Sequence, residues 1–262
     1  MTFTRLVLLA ICSTLLLSPA SRAQPGGQYM VSAANPHAAQ AGLDILAAGG
    51  SAVDAAIAAQ LVLGLVEPQS SGIGGGGFLM HYRAADQIID AYDGRETAPA
   101  AATGDMFLGT DGKPRKFYDA VVGGLSVGTP GLLRMLELAH QDHGKLPWAD
   151  LFAPAIRLAT DGFQVSPRLI DRDAKRLTTF DSTRSYFYQP DGTALPVGSL
   201  LRNPAYADVL QQVAQGGADK FYNGAIAADI VRTVREATRN PGLMTLEDLS
   251  GYRAVKRQAV CG

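Results

Sequence analysis

Val66-Glu67-Pro68-Gln69-Ser70-Ser71-Gly72-Ile73-Gly74-Gly75-Gly76-Gly77-Phe78-Leu79-Met80 is the stretch whose reading decides the fold. Five of the six residues from position 72 to 77 have no side chain. Such a run costs conformational entropy on folding. It is expected where backbone takes φ > 0 or where another segment must approach closely. Upstream, residues 52–66 read as a helix, and downstream Phe78–Arg83 reads as a strand. That order separates two meanings of the glycines. Gly72, Gly74 and Gly77 formally make Gly-x-Gly-x-x-Gly, but dinucleotide binding needs a strand before the glycines and a helix after them. Here the order is reversed. No Lys-Ser or Lys-Thr follows, so a Walker phosphate loop fails as well.

Outward from the glycines lie two helices upstream and a pair of strands downstream, followed by amphipathic helices separated by Gly and Pro breaks. Asn35-Pro36 is an N-cap with proline at the first helical position. Ala39, Leu43 and Leu46 would line the buried face of that helix until Gly49-Gly50 ends it. Ser51-Ala52-Val53-Asp54 is a capping box opening the next helix. Between Ala55 and Val66 only Gln60 is strongly polar, so that helix should be covered on several sides. Phe78–Arg83 and residues 87–92 form a hairpin across a short turn. The second strand runs into Asp93-Gly94-Arg95-Glu96-Thr97-Ala98-Pro99. Taken alone, this charged triplet is either a functional strand end or a solvated turn with an ordinary ion pair. Residues 154–160, 203–215 and 225–237 read as amphipathic helices. Asp191-Gly192, Asn223-Gly224 and Pro241-Gly242 punctuate them as turns.

Composition limits the rest. The chain has 262 residues, 47% hydrophobic and 18% charged, a globular balance. A formal net charge of -1 offers no global attraction for nucleic acid or an anionic membrane surface. Residues 1–23 read as a signal peptide. Arg5 makes the n-region, residues 6–17 the apolar h-region, and Ser21-Arg22-Ala23 a cleavage site before Gln24. The expectation is an exported, periplasmic protein with no stable membrane span. Cys12 would leave with that peptide, and Cys261 alone cannot form an internal disulfide.

Two other motifs carry chemistry on paper. Gly124-Leu125-Ser126-Val127-Gly128 matches a nucleophile elbow, but that mechanism needs a later acid and histidine, and no histidine follows His143. Thr129-Pro130 moreover reads as N-cap and first turn of the next helix, which leaves Ser126 before its start. His140 and His143 have a spacing that could hold a metal, yet no third ligand completes a set. The helix dipole explains them at a helix C-terminus. His37 and His81 stand alone.

Taken together, the stretch from Val66 to Phe78, Gly49-Gly50-Ser51-Ala52-Val53-Asp54-Ala55-Ala56 before it, and Arg95-Glu96-Thr97-Ala98-Pro99 after it resemble the large-subunit half of the γ-glutamyltransferases (glutathione hydrolase proenzymes). Ser126-Val127-Gly128-Thr129-Pro130-Gly131, Leu146-Pro147-Trp148, Pro154-Ala155-Ile156, Phe221-Tyr222-Asn223-Gly224 and Glu247-Asp248-Leu249 continue the likeness in order, from about Gln28 to the end. The resemblance implies an α+β fold, the N-terminal nucleophile hydrolase αββα sandwich. It implies a precursor that cuts itself before a threonine. The hydroxyl of that threonine attacks the γ-glutamyl carbonyl of glutathione or another γ-glutamyl compound while its amine serves as base. Water, an amino acid or a peptide then accepts the glutamyl group, with no metal and no cofactor. Arg95 matches the residue that holds the glutamyl α-carboxylate, while Glu96, Ser70 and Ser71 read as scaffold. No catalytic residue falls in this chain. It stops at Cys261-Gly262, so the expectation is a truncated large-subunit region over residues 24–262. The small subunit, with the nucleophile and the central strands, would be missing, leaving unpaired edges and an uncovered core. A related acylase, acting on cephalosporins or polyglutamate, and an inactive truncated product remain the alternatives.

Overall fold

The computed structural model describes residues 29–170 and 178–260. The proposed signal peptide, both cysteines and the cleavage site before Gln24 lie outside them. The chain divides into Met1–Met30 and Val31–Gly262. Of the first unit only Tyr29 and Met30 are described, and neither is in a helix or strand. The second carries the described helices and strands.

Helix α1, Pro36–Ala47, starts as its sequence suggests: the Asn35 side chain accepts from the His37 amide, with proline at the first helical position. Its buried face is Ala38, Ala41, Gly42 and Ile45. The sequence points to Ala39, Leu43 and Leu46, one position round, and these are only partly buried. Small residues face in because helix α2, Ala52–Val66, packs closely there. A side chain at Gly42 would press on Val31 and the Ala55 carbonyl. The capping box at the start of α2 is present in both directions, Asp54 N–H to Ser51 Oγ and Ser51 N–H to Asp54 Oδ2. Ile57, Leu61 and Val62 are fully buried. Each contributes roughly 1.5–3 kcal/mol on transfer from water. This helix is the centre of the molecule, packed by α1, by α3 (Leu132–His143) and by α4 (Ala153–Asp161).

The hairpin pairs β1, Phe78–Arg83, with β2, Ile88–Asp93. Gln87, expected to open the second strand, instead sits in the turn at φ 57. On the far side of β2 runs β3, Val255–Gln258, antiparallel, so β2 is the central strand of three. Helices α5 (Pro204–Gly216), α6 (Gly224–Arg235) and α7 (Leu246–Gly251) fill the sequence before β3.

Alternation along the strands gives the sheet two unlike faces. Leu79, His81, Asp90 and Tyr92 turn toward the helices. Phe78, Met80, Tyr82 and Ile89 turn the other way and are exposed, Phe78 by 67%. A row of large apolar side chains of this kind is normally covered. Of the sandwich expected from the sequence, these residues form one sheet and its helical layer. The other ladder among the described residues is the two-residue pair Phe163–Gln164 with Leu200–Leu201.

Of the two needs expected of the glycine run, the structure shows close approach and not left-handed backbone. None of the glycines at 72–77 has positive φ. What the run needs is space. A Cβ on Gly76 would come within 2.9 Å of the Glu96 amide and of Glu96 Oε2, and closer still to the Gly94 carbonyl. Gly77 and Gly94 exchange both backbone hydrogen bonds, at 3.2 and 2.9 Å. The Gly75 carbonyl accepts from the Gly131 and Leu132 amides, at 3.0 and 3.1 Å. Backbone thus caps α3, whose N-cap is Gly131 with no side-chain cap. Thr129-Pro130 is therefore not the cap and first turn. Thr129 is buried and bridged to Thr97 instead, at the place where the chain crosses beside Arg95.

Candidate functional site

β2 ends at Asp93, and the two residues beyond are held firmly at the main chain. The Arg95 amide donates to Asp93 Oδ1 at 2.9 Å, and the Arg95 carbonyl accepts from the Tyr252 hydroxyl at 2.7 Å. On the other carboxylate oxygen of Asp93, Arg257 Nε donates at 2.6 Å. The Arg95 amide, followed by the Arg257 bond, holds the Asp93 carboxyl below its ordinary value. The Arg95 guanidinium lies 3.0 Å from Glu96 Oε2, yet its side chain is 60% exposed. Glu96 in turn packs over Gly75 and Gly76. The structure therefore brings Arg95, Glu96 and the glycine run together. A cation on a pinned backbone, with most of its fork free, is suited to a planar carboxylate. Ser71 and Ser70 belong to the turn after α2. Ser71 Oγ accepts from Gln60, and the Ser70 amide donates to the Glu67 carbonyl.

The competing sites dissolve on inspection. The Ser126 hydroxyl donates to the Val121 carbonyl at 2.7 Å, and no histidine takes part. His140 and His143 do more than answer a helix dipole. His140 Nε2 is 2.9 Å from the Leu146 carbonyl. His143 Nε2 lies 2.8 Å from the Tyr92 hydroxyl and 3.1 Å from Asp90 Oδ2. His81, which reads as solitary in the sequence, packs against His143 with ring centroids 4.3 Å apart and planes tilted by 41°. Lys256 bridges Asp90 and Asp142 at 3.1 and 2.8 Å, and the Tyr92 hydroxyl donates to Asp142 at 2.7 Å. This polar cluster on the helix-facing side of the sheet escaped the sequence reading. The signal that would have found it is strand register, since His81 lies opposite Asp90.

The cluster sets an acid limb on stability. Burial, followed by the charge of His143, lowers the His81 pKa. Asp90 is pushed up by burial but pulled down further by Lys256, Arg83 and His143, so it ends below its ordinary value. Asp142 is lowered first by Lys256 and then by Tyr92. The Tyr92 phenol is pushed up to about 12, chiefly by burial and by its bond to Asp142. A histidine held neutral in the fold gives the unfolded chain the extra proton once pH drops below roughly 6.5, and stability falls there. The carboxylates contribute stability above roughly pH 3.9, lost as pH falls through their depressed folded values. Thermal unfolding against pH should thus show a shallow fall from pH 7 to 5 and a steeper one below 4. His81→Gln is expected to flatten the upper limb and leave the lower; an unchanged upper limb would show that His81 does not set it.

The family model described as gamma-glutamyltranspeptidase matches residues 38–262. The chain belongs to this family. Among gamma-glutamyltranspeptidase relatives, Glutathione hydrolase 2 of Arabidopsis thaliana is 41% identical over 213 residues, covering 80% of this chain and 35% of that protein. The Glutathione hydrolase proenzyme of Escherichia coli is 38% identical over 240 residues, covering 90% of this chain and 40% of that protein. The crystal structure of Helicobacter pylori gamma-glutamyltranspeptidase superposes with a TM-score of 0.83 at 31% identity, over 88% of this chain and 66% of that one. The fold is accordingly the α+β fold of the gamma-glutamyltranspeptidases, N-terminal nucleophile hydrolases, present in part. The chain spans well under half the length of these two curated relatives. Among the described residues no helix is long and apolar enough to cross a membrane.

Proposed function

We propose that this chain is the large-subunit part of an exported γ-glutamyltransferase and glutathione hydrolase, and that Arg95 grips the α-carboxylate of the γ-glutamyl group. The observation that carries the reading is the Arg95 guanidinium, largely exposed on a backbone pinned beside the glycine run, in a chain matched to the family over residues 38–262. The reaction needs a nucleophile from polypeptide corresponding to the remainder of the relatives, an N-terminal threonine whose own amine is the base. Its hydroxyl adds to the γ-carbonyl, the amine of the leaving cysteinylglycine departs with a proton, and water or an acceptor amine then takes the glutamyl group. The exposed row Phe78, Met80, Tyr82 and Ile89 is where the second sheet, carried by the small subunit, would pack. Closing that face would also narrow the space around Arg95 and dry it, which strengthens a guanidinium–carboxylate pair. Residues 1–23 act in this reading as the export signal, removed before Gln24, which makes the protein periplasmic.

The test uses a γ-glutamyl anilide and the matching glutaryl anilide, which lacks the α-amino group. The assembled enzyme, meaning this chain with the nucleophile-bearing subunit, should release chromophore from the first and far less from the second; this chain alone should release none. Equal turnover of both would overturn the reading in favour of an acylase with a different side-chain requirement.

A further inference from the structure

The backbone of Arg95 is held from one side by its own strand and from the other by a residue 157 positions later in the chain. Tyr252 follows α7 directly, as its C-cap, in extended conformation. It is buried, and its ring stacks on that of Tyr222, centroids 6.0 Å apart and planes 14° from parallel. Tyr222 is itself locked, fully buried with its hydroxyl donating to the Pro130 carbonyl at 3.0 Å and the Arg134 guanidinium 4.6 Å from its ring centroid. The Tyr252 phenol passes through a gap made by glycine: a Cβ on Gly131 would collide with the Tyr252 hydroxyl, its Cζ and the Gly94 carbonyl. Beyond that gap the hydroxyl meets one acceptor, the Arg95 carbonyl, at 2.7 Å. Burial, with the charges of Asp93 and Glu96, raises the phenol pKa and keeps the proton on the donor.

We propose that Tyr252 is the positioning residue for Arg95: its hydroxyl fixes the Arg95 carbonyl and so sets where the guanidinium meets the glutamyl α-carboxylate. The inference rests on the role proposed for Arg95 above. Asp93 restrains the amide of Arg95 and the Thr97–Thr129 bridge holds the chain two residues on; between them Tyr252 fixes the Arg95 carbonyl, and without that bond the peptide and the side chain before it could tilt. Such a loss weakens substrate capture and leaves the bond-making step, carried by another residue, as it was.

The experiment compares wild type, Tyr252→Phe, Arg95→Ala and the double variant in the assembled enzyme. Michaelis kinetics on a γ-glutamyl anilide and competitive inhibition by L-glutamate are measured together with thermal unfolding. Phenylalanine keeps the ring stack, so the variant is expected to fold and mature normally. Tyr252→Phe should raise KM and the glutamate inhibition constant about 3- to 10-fold, the loss of one hydrogen bond, with kcat within about twofold. In the Arg95→Ala background the same change should raise neither, because the group being positioned is gone. Unchanged KM in Tyr252→Phe, or an equal rise in both backgrounds, would overturn the proposal while leaving the activity intact. A wild-type assembled enzyme that releases no chromophore would instead bring down the functional reading beneath it.

Discussion

Replacing Arg95 by alanine in the assembled enzyme is expected to lower kcat/KM for γ-glutamyl substrates by about 30- to 5,000-fold. This is the range that follows from truncating one partner of a buried charge pair, roughly 2–5 kcal/mol. In the chain described, the Arg95 side chain is 60% exposed and pairs only with its neighbour Glu96. An arginine so exposed would be worth little to stability. The large effect therefore belongs to the assembled state, in which the second subunit and a bound α-carboxylate remove water from the guanidinium. Two features argue that Arg95 is more than a solvated ion pair. Its amide and carbonyl are both used in side-chain hydrogen bonds, to Asp93 and Tyr252. Its surroundings are built from residues that tolerate no side chain, Gly76, Gly94 and Gly131. Surface turns do not ordinarily demand that. Arg95→Lys separates charge from shape: an ammonium keeps the attraction but loses the bidentate fork, so it should recover only part of the lost activity. A kcat/KM for Arg95→Ala within twofold of wild type would remove the arginine from the site.

How much of this was legible in the sequence depends on what each signal measures. Helix α2 was readable because a 15-residue segment with almost no polar side chain can only be a covered helix, and its capping box is local chemistry. The hairpin was readable from two strand-like runs either side of a short turn at residues 84–86. What failed was what depends on partners. The glycine run left open left-handed backbone or close approach, and what decides for close approach is the Gly94 carbonyl and Glu96 arriving across a fold that no local pattern encodes. Thr129-Pro130 has the composition of a helix start, but the Gly75 carbonyl already serves the first amides, so the helix begins later. The polar cluster of His81, Asp90, Tyr92, Asp142, His143 and Lys256 draws on three strands and a helix. Arg95 itself was reached through resemblance; the residues alone favour a solvated turn with an ordinary ion pair. Tyr252 had no signal at all, since its meaning is a single hydrogen bond across 157 positions of chain.

The second large effect falls on stability and lies far from Arg95. Asp54 is fully buried, and its Oδ2 accepts three backbone amides: Ser51 at 2.8 Å, Lys145 at 2.9 Å and Leu146 at 3.1 Å. One carboxylate thus caps α2 and also ties the turn after α3 to it. His140 closes the same turn from the other side, 2.9 Å from the Leu146 carbonyl and edge-on to Trp148, with ring centroids 5.3 Å apart. Gly144 leaves room for that ring, since a Cβ there would press on the imidazole. Asp54→Ala removes the acceptor from three amides at once, two of them outside the helix and unable to find another partner without moving the turn. Each such loss costs about 1–3 kcal/mol, and neighbouring losses do not add in full. A destabilisation of roughly 4 kcal/mol is expected; because the assembled enzyme is more than twice the length of this chain, the fall in Tm is only about 3–5 °C. Asp54→Asn keeps one oxygen in place but loses the charge that strengthens all three bonds, so it should fall between the two. The measurement is thermal unfolding of the assembled enzyme, with Asp111→Ala, an exposed turn residue, as the reference. If Asp54→Ala melts within about 1 °C of that reference, roughly 1 kcal/mol for a protein of the assembled size, the turn is held by packing of Leu146 and Trp148 and not by the carboxylate. If it melts as expected, the α2 capping box is also the fastening between the central helix and the helix that carries His143 to the back of the sheet.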